Sequence, residues 1–282
     1  MGIGFRSPFQ WRDDLNSIKQ IISEHVTWRR QIILLAKSDI IKTYSGAALG
    51  WAWAIIKPIF TIAVFWFAFT FGLRAGGGVN GFPFALWMIP GFMAWFYMTD
   101  MLSKGANGIR KYRYLVTKMK FPVSTIPTFI SLSTIAIHIC LMVIVVAIFI
   151  ATGHFPVIYW IQLPVYMILM FLFWTAWGLF ASMLGAMSRD FINLIKAVKT
   201  PIFWLSGIMW DVNSVDIPML QKILYFNPVT YLATGYRNCF IYHKWFWEEP
   251  LQLMIFIGMF ILMVILAVWS YKKLIREIPD VL

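Results

Sequence analysis

An all-α integral membrane protein with six spans is the fold class this chain predicts, and three observations predict it. The chain has 282 residues, of which 60% are hydrophobic and only 13% charged, and its mean hydropathy is +0.73. Soluble domains hold roughly 45–50% apolar and about 25% charged residues, so this much apolar surface exceeds what a water-soluble core of this size hides. The apolar residues fall into runs near the ~20 residues that span a bilayer. The net charge is nevertheless +12, from 24 Lys+Arg against 12 Asp+Glu, and most of those cations sit between the runs.

The runs come in this order. Residues 1–50 are a basic, amphipathic N-terminal segment. Leu15, Ile18, Ile22, Val26, Ile33, Ala36 and Ile40 recur at near-helical spacing, interrupted by Arg29, with Lys19, Arg30 and Lys37 opposite. That pattern predicts one helix lying in the cytoplasmic interface, its apolar face in lipid or against a partner protein and its cations toward anionic headgroups. Spans follow at roughly 51–73, 84–103, 124–152, 158–186 and 251–271. A sixth, at roughly 192–210, carries Lys196, Lys199 and Pro201 in its first half. Residues 219–241 are only semi-polar and are broken at Asn227-Pro228 and Gly235, so they predict a re-entrant helix–turn–helix, not a span. The whole chain is one membrane domain: a cytoplasmic segment over 1–50, a six-span bundle over 51–271 and a tail over 272–282.

Loop charge orients the bundle. Residues 1–50 hold seven Lys/Arg (Arg6, Arg12, Lys19, Arg29, Arg30, Lys37 and Lys42). Residues 104–120 hold six and no acid. Arg189, Lys196, Lys199, Lys272, Lys273, Arg276 and Lys57 lie on the same side. Arg74, Lys222, Arg237 and Lys244 are left for the other. The positive-inside rule puts both termini in the cytoplasm. Lys57, near the start of its span, can snorkel to the interface.

Several function classes are disfavoured. The cysteines, Cys140 and Cys239, build no disulfide framework. The N-terminus lacks the apolar core and cleavage site of a signal peptide. The four histidines have no metal-ligand spacing, and no GxxxxGK[ST] loop is present to cradle ATP; the Gly76–Gly78 run is a turn. No nucleophile constellation or catalytic site is visible. The external acids Asp211, Asp216, Glu248 and Glu249 lack the bases a membrane glycosyltransferase or acyltransferase would need. Intramembrane Lys57, Asp100 and His138 make no convincing ion relay. The positive charge is explained by topology, so nucleic acid is not an expected partner. If the chain moves a solute uphill, its energy comes from another protein.

Between Gly105, Asn107 and Gly108 and the later Pro122, the chain predicts a short basic helix of about three turns, with Tyr112, Tyr114, Leu115 and Val116 as apolar knobs for docking. Four stretches then carry a resemblance: SDIIKTYSGAALGWAWAIIKP (38–58), VTKMKFPVSTIPT (116–128), SRDFINLI (188–195) and FNPVTYLATGYRNCF (226–240). In this order they resemble the permease subunits of ABC-2-type exporters of polysaccharides and teichoic acids. That family often has Arg-Asp and Arg-Tyr where this chain has Ser38-Asp39 and Thr43-Tyr44. GFPFALWMIPGFMAWFYM (81–98), GIMWDV (207–212) and GYRNCFIYHKWF (235–246) are most similar to the wall teichoic acid translocation permeases; O-antigen and capsule exporters share the architecture.

The resemblance implies a homodimeric permease in a bacterial plasma membrane, bound to two copies of a separate ATPase that holds ATP and Mg. It implies a substrate of undecaprenyl-diphosphate-linked polymer. On that basis Arg110, Tyr112, Tyr114, Leu115, Lys118, Arg189 and Asp190 are expected to couple to the ATPase. Arg29, Arg30, Lys37 and Lys42 are expected on the interface helix. Trp66, Trp95 and Tyr97 are candidates for the conduit, and Tyr236 and Arg237 for its exit. The clusters Phe65-Trp66-Phe67, Trp95-Phe96-Tyr97 and Trp245-Phe246-Trp247 are candidates for stacking on sugar.

Overall fold

The computed structural model describes residues 11–46, 48–72, 78–119 and 121–282, with side chains from residue 17 onward. Arg6, Arg74, Lys120 and the Gly76–Gly77 part of the glycine run lie outside the described residues, as do the side chains of Arg12 and Leu15. Every named element among the described residues is helical: α1 (Trp11–Thr27), α2 (Arg29–Tyr44), α3 (Trp53–Phe67), α4 (Phe84–Lys111), α5 (Arg113–Thr117), α6 (Ile126–Ala151), α7 (Leu163–Met187), α8 (Arg189–Leu205), α9 (Pro218–Tyr225), α10 (Pro228–Arg237), α11 (Pro250–Leu274) and α12 (Ile278–Val281).

Among the described residues, four stretches are long and apolar enough to cross a membrane: Gly50–Gly72, Val123–Ala151, Ile158–Met187 and Pro250–Leu274. They coincide with four of the six predicted spans. The other two, α4 and α8, are helical but carry Asp100 with Lys104 and Lys196 with Lys199 respectively.

The hub is α4, which packs on α6, α7, α8 and α10. In a bilayer lipid is as apolar as any side chain, so close approach and not hydrophobicity draws helices together. The α4–α7 pair shows it. A Cβ added to Gly105 would lie 3.1 Å from the Gly178 Cα, and one on Gly185 would lie 2.0 Å from the Ala106 carbonyl oxygen. The predicted helix break at Gly105, Asn107 and Gly108 is therefore corrected. All three stay helical, Gly105 admitting α7 and Gly108 admitting α6 while Asn107 is exposed, and α4 ends only at Lys111. The short basic helix after them is correspondingly smaller, five residues of α5.

The predicted single interface helix is two, split at Trp28, whose ring packs edge-on against Phe121 at 5.1 Å. Both pieces dock through polar groups. Glu24 accepts from Ser124 and, at 3.1 Å, from the Tyr271 hydroxyl; His25 Nε2 pairs with Thr128 Oγ1 at 2.7 Å. The apolar stripe at Ile18, Ile22, Val26 and Ile33 is left exposed, as an interface helix requires. Residues 218–237 form the expected helix–turn–helix. Asn227 caps α10 through Val229 N at 3.0 Å and donates to Ser206 Oγ at 2.7 Å, which pins the turn to the end of α8.

Candidate functional site

At the basic end of the bundle, α4, α5 and α8 converge. Ser188 N-caps α8, accepting from the backbone N–H of Asp190 at 3.1 Å and of Phe191 at 3.4 Å. Arg110 reaches across from α4 and donates to the Gly185 and Ala186 carbonyls, each at 2.6 Å. Those carbonyls lie in the last turn of α7, where intrahelical partners run out. A cation there also meets the negative end of the helix dipole. Arg110 thus holds the α7–α8 corner rigidly against α4.

Beside it lies a recess of about 360 Å³, lined by Asn107, Arg110, Arg113, Arg189, Asn193 and Lys196 with Ile192 and Leu282. No Asp or Glu side chain lines it. Arg113, Arg189 and Lys196 form no ion pair among the described residues. Three such cations around one recess leave a positive field that favours an anionic counterpart.

A buried carboxylate ties this end to α2. Asp39 is 2% exposed. Its Oδ1 accepts from Lys111 Nζ at 2.8 Å and from the Tyr112 hydroxyl, and its Oδ2 from Ser133 Oγ at 2.5 Å. Burial alone would raise its pKa, but the hydrogen bonds from Lys111, Ser133 and Tyr112 outweigh burial and hold the carboxyl below its ordinary range. The Tyr112 phenol is pushed up, first by burial and then by donating to Asp39. One residue turn later, Lys42 lies over the Tyr114 ring at 5.9 Å. The end of α2 is therefore stitched to the α4–α5 corner at two points.

The predicted coupling residues divide accordingly. Lys118, Arg189 and Asp190 are exposed, and Tyr114 is 38% exposed. Tyr112, Leu115 and Val116 are not docking knobs: they are buried in the chain's own core, Tyr112 edge-on against Phe129 at 4.8 Å. A five-residue helix lying on the bundle must turn its apolar side inward. Arg29, Arg30, Lys37 and Lys42 are all exposed on α1–α2. Sequence reasoning missed Asp39, Lys196, Asn107 and Asn193 as site residues, while Arg113 falls within the basic helix expected to dock. Asp39 did have a signal, since it is the only acid between Glu24 and Asp100.

The predicted exit residues are structural. Arg237, 2% exposed, donates to the Gly207 carbonyl at 2.7 Å and to the Ile208 carbonyl, and lies over the Trp87 ring at 3.7 Å. Gly91 leaves the space: a Cβ there would meet Arg237 Nη2 at 2.7 Å. The indole of Trp87 donates to Tyr242 (2.9 Å), whose hydroxyl donates to Asp211 (2.7 Å). The hydroxyl of Tyr236 bonds His138 Nε2 at 2.8 Å, deep in the bundle. Both residues face inward because α10 is packed between α4, α7 and α11.

Of the conduit candidates, Trp66 is 40% exposed, whereas Trp95 and Tyr97 are buried. Trp95 and Tyr97 line a cleft of about 440 Å³ with α3, and Trp95 also lines one of about 280 Å³ with Phe65, Phe92, Phe203 and Trp204. Trp66 borders a third groove of about 220 Å³. Of the sugar-stacking clusters, Trp245 and Trp247 stack on each other at 4.8 Å.

The chain is 22% identical over 255 residues to the O-antigen export system permease protein RfbA of Myxococcus xanthus, covering 90% of this chain and 96% of that protein. It is also 22% identical over 199 residues to the inner membrane transport permease YadH of Escherichia coli K12, covering 68% and 77%. The family model described as ABC-2 type transporter matches residues 30–241, and the chain belongs to that family.

Proposed function

We propose that this chain is the membrane subunit of an ATP-driven exporter of a lipid-linked glycopolymer, and that a separate ATPase docks at the basic end. Family membership supports the permease role, because ABC-2 permeases work with a separate ATPase subunit. The observation that carries the docking surface is the recess holding Arg113, Arg189 and Lys196. Arg110 acts beneath it as a positioning residue: it bonds two backbone carbonyls, so motion imposed at Arg189 reaches α4 and α7 as one body. Asp39 and Lys42 carry the same motion to α2.

In this reading the bundle has six spans, with α4 and α8 completing the four apolar stretches. Both termini are cytoplasmic, and two copies of the chain pair with two ATPases that bind ATP and Mg. The substrate is undecaprenyl-diphosphate-linked wall teichoic acid polymer, a reading supported by the likeness of residues 81–98, 207–212 and 235–246 to teichoic acid permeases. A second reading, O-antigen or capsule export, is favoured by the permease of Myxococcus xanthus, whose name assigns it to O-antigen export.

The test is co-purification with the candidate ATPase, followed by flipping assays with lipid-linked precursors. R113E combined with R189E is expected to cut ATPase retention at least about tenfold, since two attractive contacts become repulsive. The parent complex is expected to weaken as salt rises. Salt-insensitive retention of the reversed variant would overturn the docking surface. Flipping of an O-antigen precursor in preference to a teichoic acid precursor would decide for the second reading.

A further inference from the structure

We infer that α2, α3, α4 and α6 form a two-part site for a lipid phosphate that carries a sugar. The 440 Å³ cleft is mixed in character: Tyr44 and Trp53 present rings, the buried Trp95 and Tyr97 back it, and Lys57, Lys104 and Asp100 present charge. Lys104 is paired with Asp100 at 2.6 Å, whereas Lys57 forms no ion pair among the described residues. Beside the cleft runs the 220 Å³ groove, lined by Ile59, Ile62, Trp66, Ile89, Ile144 and Val145. The two share Pro58 and Leu141 and lie along the same helix, α3. From Lys57 to Trp66 the helix rises about 13 Å at 1.5 Å per residue.

A polar, aromatic compartment that shares a wall with an apolar one matches an amphiphile, not a soluble solute. Lys57 meets the phosphate as a point charge. The ring faces stack on sugar C–H surfaces, while the groove takes the first units of the hydrocarbon chain. Ile59 lines that groove and is 50% exposed, as are Ile56 and Phe60 in part on the same helix, so the lipid enters sideways from the bilayer. Tyr44 and Trp53 are the accessible rings beside Lys57, and a glycerol headgroup offers no sugar face for them to stack on, which commits the site to a glycosylated lipid phosphate over bulk phospholipid. This assignment rests on the proposed export function for the lipid's identity and deepens it by naming the entry site.

The experiment uses the permease–ATPase complex in nanodiscs and a polyisoprenyl diphosphate bearing a disaccharide as probe. Binding is read by quenching of tryptophan fluorescence. K57Q is expected to weaken the probe about tenfold, the usual scale for losing one charge-assisted contact, and I144W, which fills the groove, to weaken it similarly. Phosphatidylglycerol and inorganic diphosphate are expected to compete poorly. Lys57 is exposed, so K57Q keeps its melting temperature and its result stands even where I144W folds badly. Unchanged affinity in K57Q, or competition by phosphatidylglycerol on equal terms, overturns the site. The two ideas also fail separately: normal export by K57Q and I144W would remove this site and leave the exporter, whereas probe binding without any ATPase response would remove the exporter and leave the site.

Discussion

Helices α3 and α4 are neighbours in the chain, both rich in aromatic residues, and the fold treats them in opposite ways. Nearly every residue of α4 from Phe84 to Ile109 is buried or half-buried, whereas α3 buries only Ala54 and Pro58. Hydropathy does not explain this, because the more hydrophobic helix is the less buried one. Small residues do. Gly91, Ala94, Gly105, Ala106 and Gly108 let α4 meet backbones and an arginine at contact distance, while α3 offers Ile, Phe and Trp. In a membrane, a helix gains partners by fit. One that lacks fit stays at the edge, where it faces lipid, substrate or a second subunit.

The largest expected effect tests the fit of α4. G185A pushes a methyl into the Ala106 carbonyl and is expected to cost roughly 3 kcal/mol or more, read as a lower melting temperature in detergent. A small shift would show that the α4–α7 contact is loose and would weaken the contrast. Next comes the clamp that joins α4 to α2. D39A strands Lys111, Tyr112 and Ser133, and is expected to cost about 2–3 kcal/mol, less than a fully buried pair because Lys111 is 42% exposed. D39N, which still accepts from Tyr112 or Ser133, should recover part of that loss.

The acid limb sharpens the same point. Asp39 has a folded-state pKa below its unfolded one, so its contribution is present at neutral pH. That contribution begins to fall near pH 4, the ordinary carboxylate range, and is gone below the lowered folded value. Melting temperatures taken from pH 7 to pH 3 should drop further in the parent than in D39N. The smallest effect belongs to α3. F60A removes a side chain that is 69% exposed and should change the stability of the isolated permease by less than ~0.5 kcal/mol. A loss as large as that of G185A would mean α3 is packed in the assembled protein, and the contrast would become one between intrachain and intersubunit contact.

Much of the architecture is legible in the chain. The apolar runs place four stretches long enough to cross a membrane, and Asn227-Pro228 places the helix–turn–helix. Charge gathered at residues 104–120 and 189–199 locates the basic recess, although of its lining only Arg110, Arg113 and Arg189 fall within the stretches expected to couple. The readings that needed correcting share one cause. Tyr112 and Leu115 look like docking knobs, and Arg237 like an exit residue, because side-chain type says nothing about which way a short helix is rolled.

The amino-acid sequence by itself determined the solvent this protein folds in, the positions of its apolar runs and the end of the bundle that carries its charge. These follow from transfer energies summed along the chain, which need no knowledge of neighbours. Only the tertiary structure decided which helix became the hub, that Asp39 holds Lys111, Tyr112 and Ser133 together, and that a cleft lined by Lys57 lies beside an apolar groove along α3. Those depend on distances between residues far apart in the chain, and small side chains set the distances by allowing backbones to touch.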